Sequence, residues 1–444
     1  MSEWVNCKLG DYIDVLHGYP CKGEYMTLET DNDLPIVTTM GNFLYEGGFD
    51  FITSKVKRYT TDYPDEFNLS SGDMLVGMTC QTADAQVLGI PGYIPNDGRT
   101  YIHNQRLGKI VFENDGLDID FLYYLFLTSR FRVYMANTAS GSKVKHTSPG
   151  KIKDYTFRKP PISEQKKIGS ILRSIDDKIQ VNRRLNDNLE AMAQTLYDYW
   201  FVQFDFPDEN GNPYKSSGGK MVWNSQLKQE IPDGWDVARI SDVCDINSQA
   251  YQAKDAWSHV EYLDTSNLTE NLISEITHIN LETESLPSRA KRKVQHLDVL
   301  FSSVRPNQRH LGIILNPPLH LLVSTGFVVL SAQKEKTSPY MIYCIVKSEE
   351  VVQAMQKIGE LATSSYPSIR PEDLASVQFA TPKSGSKLYA AYNRVVEPLY
   401  QRIDNIKQEI KKLTKQRDFL LPLLMNGQVQ VKPQGKLNYH LADD

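Results

Sequence analysis

The chain has 444 residues, 41% apolar and 23% charged, with a formal net charge of −5. That size and balance predict two or three ordinary globular domains and exclude a fibrous, low-complexity or wholly disordered protein. Five scattered cysteines (Cys7, Cys21, Cys80, Cys244, Cys344) without a CxxC pair argue against a disulfide framework or zinc ribbon. The start MSEWVNCKLGDY and the short run LLVSTGFVVL offer no signal or spanning pattern, so a soluble protein of the reducing cytoplasm is expected.

In chain order, Trp4 precedes KLGDYIDV, GDMLVGMT (72–79) reads as a strand, and LDIDFLYYLFLTSRFRVYM (117–135) reads as short helices. Residues 141–159 concentrate Lys143, Lys145, Lys151, Lys153, Arg158 and Lys159 against Asp154 alone, so charge distribution says more than the net sum. SPGKIKDYTFRKPP (148–161) reads as a strand-like segment closed by proline. Beyond it Ser163 can cap a helix, with Glu164 and Gln165 in its first turn. Ile168, Leu172, Ile175, Ile179, Asn182, Asn186, Leu189, Ala193, Leu196 and Trp200 then alternate steps of four and three, a heptad seam. Residues 204–234, dense in Gly, Pro, Asn and Ser, read as a loop-rich linker.

The second half repeats the first. Trp235 precedes ARISDVCD, LDVLFSSV (297–304) parallels GDMLVGMT, SPYMIYCIVKSEEVVQAMQKI (338–358) gives short helices, and RPEDLASVQFATP (370–382) parallels 148–161. Residues 255–288 carry seven acids and no Lys or Arg, and 287–310 carry Arg289, Lys291, Arg292, Lys293, Arg305 and Arg309 against Asp298. A second seam runs through Tyr392, Val396, Leu399, Ile403, Ile406, Ile410, Leu413, Arg417, Leu420 and Leu424, displaced from the first by 224 residues. Helices of some 40 residues would each be on the order of 60 Å long.

The expected fold is α+β with a pseudo-twofold internal repeat. Strand-rich units at 1–160 and 235–383 are separated by long antiparallel coiled-coil helices at 161–203 and 384–427, with a tail at 428–444. Packing the seams against each other places Asn182 and Asn186 near Ile406 and Ile410, where a buried Asn fixes register.

The pieces SGSKVKHTSPGKIKDYTFRKPPISEQKKIGSIL, NPYKSSGGKMV with EIPDGW, SSVRP, VSTGF, LATSSYPSIRPEDL and LLPLLMNGQV together resemble the specificity subunits of type I restriction-modification systems. The resemblance covers nearly the whole chain. TPKSGSKLYAAY departs from it by lacking the Glu-Gln pair seen at Glu164 and Gln165, which leaves the start of the second helix open. The resemblance implies two target recognition domains held apart by helices acting as a ruler. They would read two short half-sites of double-stranded DNA across an unread spacer. It also implies two partner modification subunits that methylate adenine with S-adenosylmethionine, and motor-nuclease subunits that use ATP and Mg, in phage defence. This chain itself would hold no cofactor and no metal.

Base edges are read by forked polar side chains and phosphates by cations. The candidates in the first unit are Gln81, Asn104, Gln105, Arg106, Lys143, Lys145 and His146. In the second they are Arg289, Lys291, Arg292, Lys293, Arg305, Asn307, Gln308 and Arg309, with Ser364 and Tyr366 on the segment matching the basic Gly-Ser loop. Exposed flanks such as Lys166, Lys167, Arg183, Arg184, Lys407, Lys411 and Lys412 suit docking of partners.

Enzyme motifs fail on inspection. NPPL (316–319) puts Leu319 where a base-stacking ring belongs in amino-methylating enzymes, KSSGGKM (215–221) has Met221 in place of a magnesium-binding hydroxyl, and no HExxH or GxSxG occurs. The competing reading is a coiled-coil scaffold or adaptor whose units bind proteins.

Overall fold

The computed structural model describes residues 4–28, 33–51, 56–81, 85–361, 367–382, 387–431 and 437–439. The chain forms two compact units, one of residues 1–181 with 410–444 and the other of residues 182–409.

In the first unit Val5–Lys8 pairs antiparallel with Thr156–Lys159. A four-stranded antiparallel sheet has the order Ile13–His17, Leu107–Phe112, Met74–Gly77, Pro91–Tyr93. A second sheet runs Met26–Thr27, Lys57–Tyr59, Ile36–Val37, Tyr101–Ile102, Asn68–Leu69, with Ile36–Val37 and Tyr101–Ile102 parallel.

The second unit repeats the order of the four-stranded sheet, and its other sheet has four strands where the first unit has five. Trp235–Arg239 pairs with Gln378–Pro382, and the four-stranded sheet runs Cys244–Ile246, Phe327–Ala332, Val299–Ser302, Leu311–Ile313. The other sheet runs Thr277–Asn280, His259–Leu263, Leu321–Ser324, Ala290–Lys293, again with a parallel pair at its centre. The repeat that the sequence parallels indicate is carried by the matching order of the four-stranded sheets and by the parallel pair in each other sheet, where the edge strand Met26–Thr27 of the first unit has no counterpart.

Each unit covers its four-stranded sheet with two consecutive helices that share one cap residue. Thr128 ends Ile119–Leu127 in an extended conformation while its hydroxyl accepts from the Phe131 amide at the start of Ser129–Thr138. Ser348 does the same between Pro339–Lys347 and Glu349–Glu360, accepting from Val351. A single hydroxyl residue thus breaks the helix and restarts it, satisfying an otherwise orphaned donor.

The segments expected to be strand-like before each long helix are strand in their second half only. Pro149–Lys153 and Pro371–Ala375 are one-turn helices. Proline at the first helical position loses nothing there, because that amide has no partner in any helix.

The long helices are Ile162–Tyr197, of 36 residues, and Lys387–Met425, of 39 residues. The first continues into a π-helical turn at Asp198–Val202. The two run antiparallel: in the second unit Asn182 donates to Glu409 at 3.1 Å, and the Trp200 and Tyr392 rings lie 5.6 Å apart, so numbering rises on one helix as it falls on the other.

The seams do not form an isolated coiled coil; each half-seam also closes the core of a globular unit. Ile168, Leu172, Ile175, Ile179, Leu420 and Leu424 share a buried cluster with Phe121, Leu122 and Phe126, with Ile410 and Leu413 packed against it. Tyr392, Val396 and Ile403 share one with Tyr340, Met341 and Phe301, flanked by Leu189, Leu196 and Leu399. Ile406 is buried as well. Burial of a stripe wider than the a/d seam is what a helix packed on a domain requires.

Asn182 and Asn186 are both buried, and the Asn182 amide meets Glu409 within one turn of Ile406.

The segment read as a loop-rich linker is a packed part of the second unit. Phe204 and Phe206 are buried in its core, the Phe206 ring stacks on Trp235 at 5.2 Å, and Met221–Asn224 pairs with Gln229–Pro232 in a hairpin. Asp205 holds its turn by accepting from the amide and hydroxyl of Ser216 at 2.7 and 2.6 Å. The Gly and Pro content marks tight turns here rather than looseness.

Among the described residues no helix is long and apolar enough to cross a membrane, and no group of three or more His, Cys, Asp or Glu is placed to hold a metal ion.

Candidate nucleic-acid interface

Three loops converge at one edge of the four-stranded sheet in each unit, joined by main-chain hydrogen bonds that recur in both. In the first unit the Met78 amide donates to the Arg106 carbonyl at 3.0 Å, and the Met78 carbonyl accepts from the Thr147 amide at 2.9 Å. In the second the Ser303 amide donates to Gly326 at 2.8 Å, and the Ser303 carbonyl accepts from Ile369 at 2.8 Å. The loop after the second strand is therefore clamped between the turn that leaves the parallel pair and the loop before the one-turn helix.

The first-unit edge collects the sequence candidates. Lys145–His146 pairs antiparallel with Thr79–Cys80, which sets Gln81 beside the Gly-Ser loop. Gln81, Gln105, Arg106, Lys143 and His146 are exposed and Lys145 is half-buried. His146 Nδ1 lies 3.3 Å from the Thr79 hydroxyl.

Asn104 sits differently. It is 6% exposed, and its side-chain oxygen accepts from the Arg106 amide at 3.0 Å, so its carboxamide shapes the turn that presents Gln105 and Arg106. The neighbouring His103 is buried, with Nε2 2.9 Å from the Leu107 carbonyl; burial pushes its pKa down to about 4, so the ring is neutral and donates that bond.

Sequence reading missed Gly18. A Cβ there would lie 2.4 Å from the His103 carbonyl oxygen, so only glycine lets this strand lie against the turn. The other basic residues of 141–159 are engaged elsewhere: Lys153 pairs with Asp14 at 2.8 Å, Lys159 donates to Gly116 at 3.1 Å, and Lys151 donates to Thr138.

At the second-unit edge Arg305 and Arg309 bracket the turn Pro306–Gln308, both in the left-handed region at φ +48° and +55°. Two bulky residues in that region store strain, which the surroundings must hold in place. They do so through Arg305, whose amide donates to Pro367 at 2.9 Å, and Asn307, whose amide donates to the Gln356 side chain at 3.1 Å. The Asn307 and Gln308 side chains are exposed.

The Arg309 guanidinium is taken up by Glu270, by Glu349 at 3.1 Å and by the Lys347 carbonyl at 2.9 Å, which makes it the anchor of the turn.

The basic strand Ala290–Lys293 divides its residues. The Arg289 carbonyl accepts from Thr325 at 2.8 Å, which ties this exposed arginine to the converging loops. Lys291 is exposed. Arg292 instead donates to Asn247 at 2.6 Å, and Lys293 pairs with Asp255 at 2.7 Å beneath the Trp257 ring. Ser364 and Tyr366 lie outside the described residues.

Of the motifs set aside as decoys, NPPL turns outward: Leu319 is exposed, and the Asn316 amide is spent on Asp404 at 3.0 Å.

Comparison with known proteins now adds to this geometry. The family model described as the type I restriction modification DNA specificity domain matches residues 1–191. Residues 1–191 are therefore similar to that family's DNA specificity domain.

Two specificity relatives come from Methanocaldococcus jannaschii. The type I restriction enzyme MjaIX specificity subunit is 24% identical over 77% of this chain and 76% of its own length. The MjaVIII specificity subunit is 22% identical over 97% of this chain and 94% of its own. The crystal structure of the type I restriction-modification S subunit from M. genitalium shares the fold, with a TM-score of 0.56 at 15% identity over 95% of this chain and 96% of that one. Beyond residue 191 the chain repeats the four-stranded sheet order found within the matched residues.

Proposed function

We propose that the two three-loop edges are the readers of a bipartite DNA target, one half-site each, with an unread spacer set by the long helices. The observation that carries this is the repeated main-chain clamp, which presents a different polar set in each unit: Gln81, Gln105 and Arg106 with Lys143 and Lys145 in one, and Arg289, Arg305, Asn307 and Gln308 in the other. A duplicated frame with divergent side chains is what two half-sites of different sequence require. Base edges are distinguished by forked donors and acceptors of this kind, and flanking cations take the phosphates.

In this reading the chain catalyses nothing itself and works in the cytoplasm. Two modification subunits supply S-adenosylmethionine and methylate adenine at the site this chain selects. Motor-nuclease subunits supply ATP and Mg for restriction. Specificity relatives support this assignment over a protein-binding scaffold, as do the cations gathered at the clamped edges.

The test is a genome-wide map of methylated adenines in the host with and without this gene. A motif of two short blocks at fixed spacing should vanish on deletion and return on complementation. A motif that persists unchanged refutes the reading.

A further inference from the structure

The anchor of the second-unit reading turn is connected to both long helices through a two-residue hairpin tip. Leu268–Thr269 pairs with Leu272–Ile273, and the tip Glu270–Asn271 has both residues left-handed, at φ +44° and +66°. That is the backbone of a type I′ hairpin turn, whose geometry leaves little freedom between the two residues.

They face opposite ways. Glu270 turns to the reading loop: its amide donates to the Arg309 carbonyl at 3.0 Å, and its carboxylate pairs with the Arg309 guanidinium.

Asn271 turns to the helices. It is 7% exposed, its side-chain amide donates to Glu190 on the first long helix at 3.3 Å, and its carbonyl accepts from Lys407 on the second at 2.7 Å. Glu190 also pairs with Lys407 at 3.5 Å and with Lys347 at 3.7 Å, and the Lys347 carbonyl is the one that accepts from Arg309. Asn271 Oδ1 further accepts from the Ile313 amide at 3.2 Å, which pins the tip to the strand leaving the turn.

Burial pushes the Lys407 pKa down, and Glu190 opposes that shift. A desolvated lysine whose acid partner is removed keeps its full burial penalty, so it must move or lose its proton. Either response pulls on the Asn271 carbonyl and thereby on the tip.

We propose that Glu190 and Lys407 are positioning residues for sequence reading. Through the Glu270–Asn271 tip they fix where Arg309, and with it Asn307 and Gln308, stand before the DNA. This rests on the reading of the Arg305–Arg309 turn as a base-reading loop. It adds that selectivity at one half-site depends on two helix residues that touch no base.

The experiment uses the full chain co-expressed with its modification partner. The wild-type methylation motif is mapped first. Duplexes carrying single substitutions in either half-site are then bound to complexes containing wild type, E190Q, or the neutral pair E190Q/K407M. The expected result is a loss of selectivity of about 3- to 30-fold, confined to the half-site that Arg305→Ala also affects, with the other half-site and the salt dependence of binding unchanged.

A merely structural role would weaken binding to every duplex equally and leave the selectivity ratio intact; that outcome overturns the proposal. Should E190Q fail to fold, the double variant decides, since it removes both charges of the Glu190–Lys407 pair instead of stranding the buried Lys407. Intact selectivity in that folded double variant overturns the proposal too. Failure of the underlying reading shows separately, as a wild-type complex that methylates no bipartite motif.

Discussion

Arg417 on the second long helix donates to Asp176 on the first at 3.0 Å, and the same carboxylate accepts from the Tyr124 hydroxyl at 2.7 Å. One acid thus ties both helices to the helix Ile119–Leu127 of the first unit. Burial works against the Arg417 charge, but Asp176 and Asp418 outweigh it and hold the guanidinium pKa above its ordinary value.

Truncating Arg417 would leave Asp176 half-compensated in a poorly solvated site. Arg417→Ala is expected to cost the first unit about 3 kcal/mol. Hydrogen-exchange protection of residues 162–181 and 410–425 should fall accordingly, with 182–409 unchanged. Equal loss in both units would refute the local account.

How far the sequence discloses these features follows from their physics. The heptad seams and the repeat are periodic in side-chain chemistry, so spacing reveals them. The paired main-chain clamps Met78–Arg106 and Ser303–Gly326 leave no such trace, because backbone amides are common to every residue. Asn104 looks like a base reader by type, yet its carboxamide is buried in a turn. Arg309 looks available because its acid partners Glu270 and Glu349 stand 39 and 40 residues away in the chain. The packed segment 204–234 was hidden by its turn residues, although Phe204, Phe206 and Trp235 carried the apolar signal of a core.

His103 gives the first unit a pH dependence. Unfolded, the imidazole titrates near 6.5; folded, burial delays protonation to about 4. Between those values the unfolded chain binds the extra proton, so stability is complete above about pH 6.5 and declines as pH falls toward about 4, by on the order of 3 kcal/mol in all. Urea midpoints of the first unit at pH 7.5 and 5.0 measure this. His103→Gln, which keeps a donor for Leu107, should flatten the difference; an equal decline in that variant would assign it to other groups.

Arg305 should contribute base discrimination rather than bulk affinity. Arg305→Ala is expected to cost about 1–3 kcal/mol against the correct half-site and little against random duplex. Asn307→Ala and Gln308→Ala should relax different positions of the same half-site. Competition binding with singly substituted duplexes reads this out, and uniform losses on all sequences would place Arg305 on phosphate.

Lys143 and Lys145, on the loop beside Gln81, have the opposite signature. Each substitution to Ala should weaken binding to every duplex and lower the slope of log K against log salt by about 1. A sequence-dependent effect would make them base readers.

The long helices carry the last prediction. At 1.5 Å per residue, one heptad of helix is about 10 Å, or about 3 base pairs of B-DNA. Residues 178–184 contain Asn182, and 408–414 contain its antiparallel partner Glu409, while Glu190 and Lys407 lie outside both segments. Deleting both segments together removes a matched heptad while keeping the seam phase on each side, and the reading loops are untouched. The methylation map of such a strain should show the same two half-sites with a spacer shorter by about 3 base pairs, or no methylation where the new rotational phase cannot be met. Unaltered half-sites at the original spacing would show that the gap is set by something other than helix length.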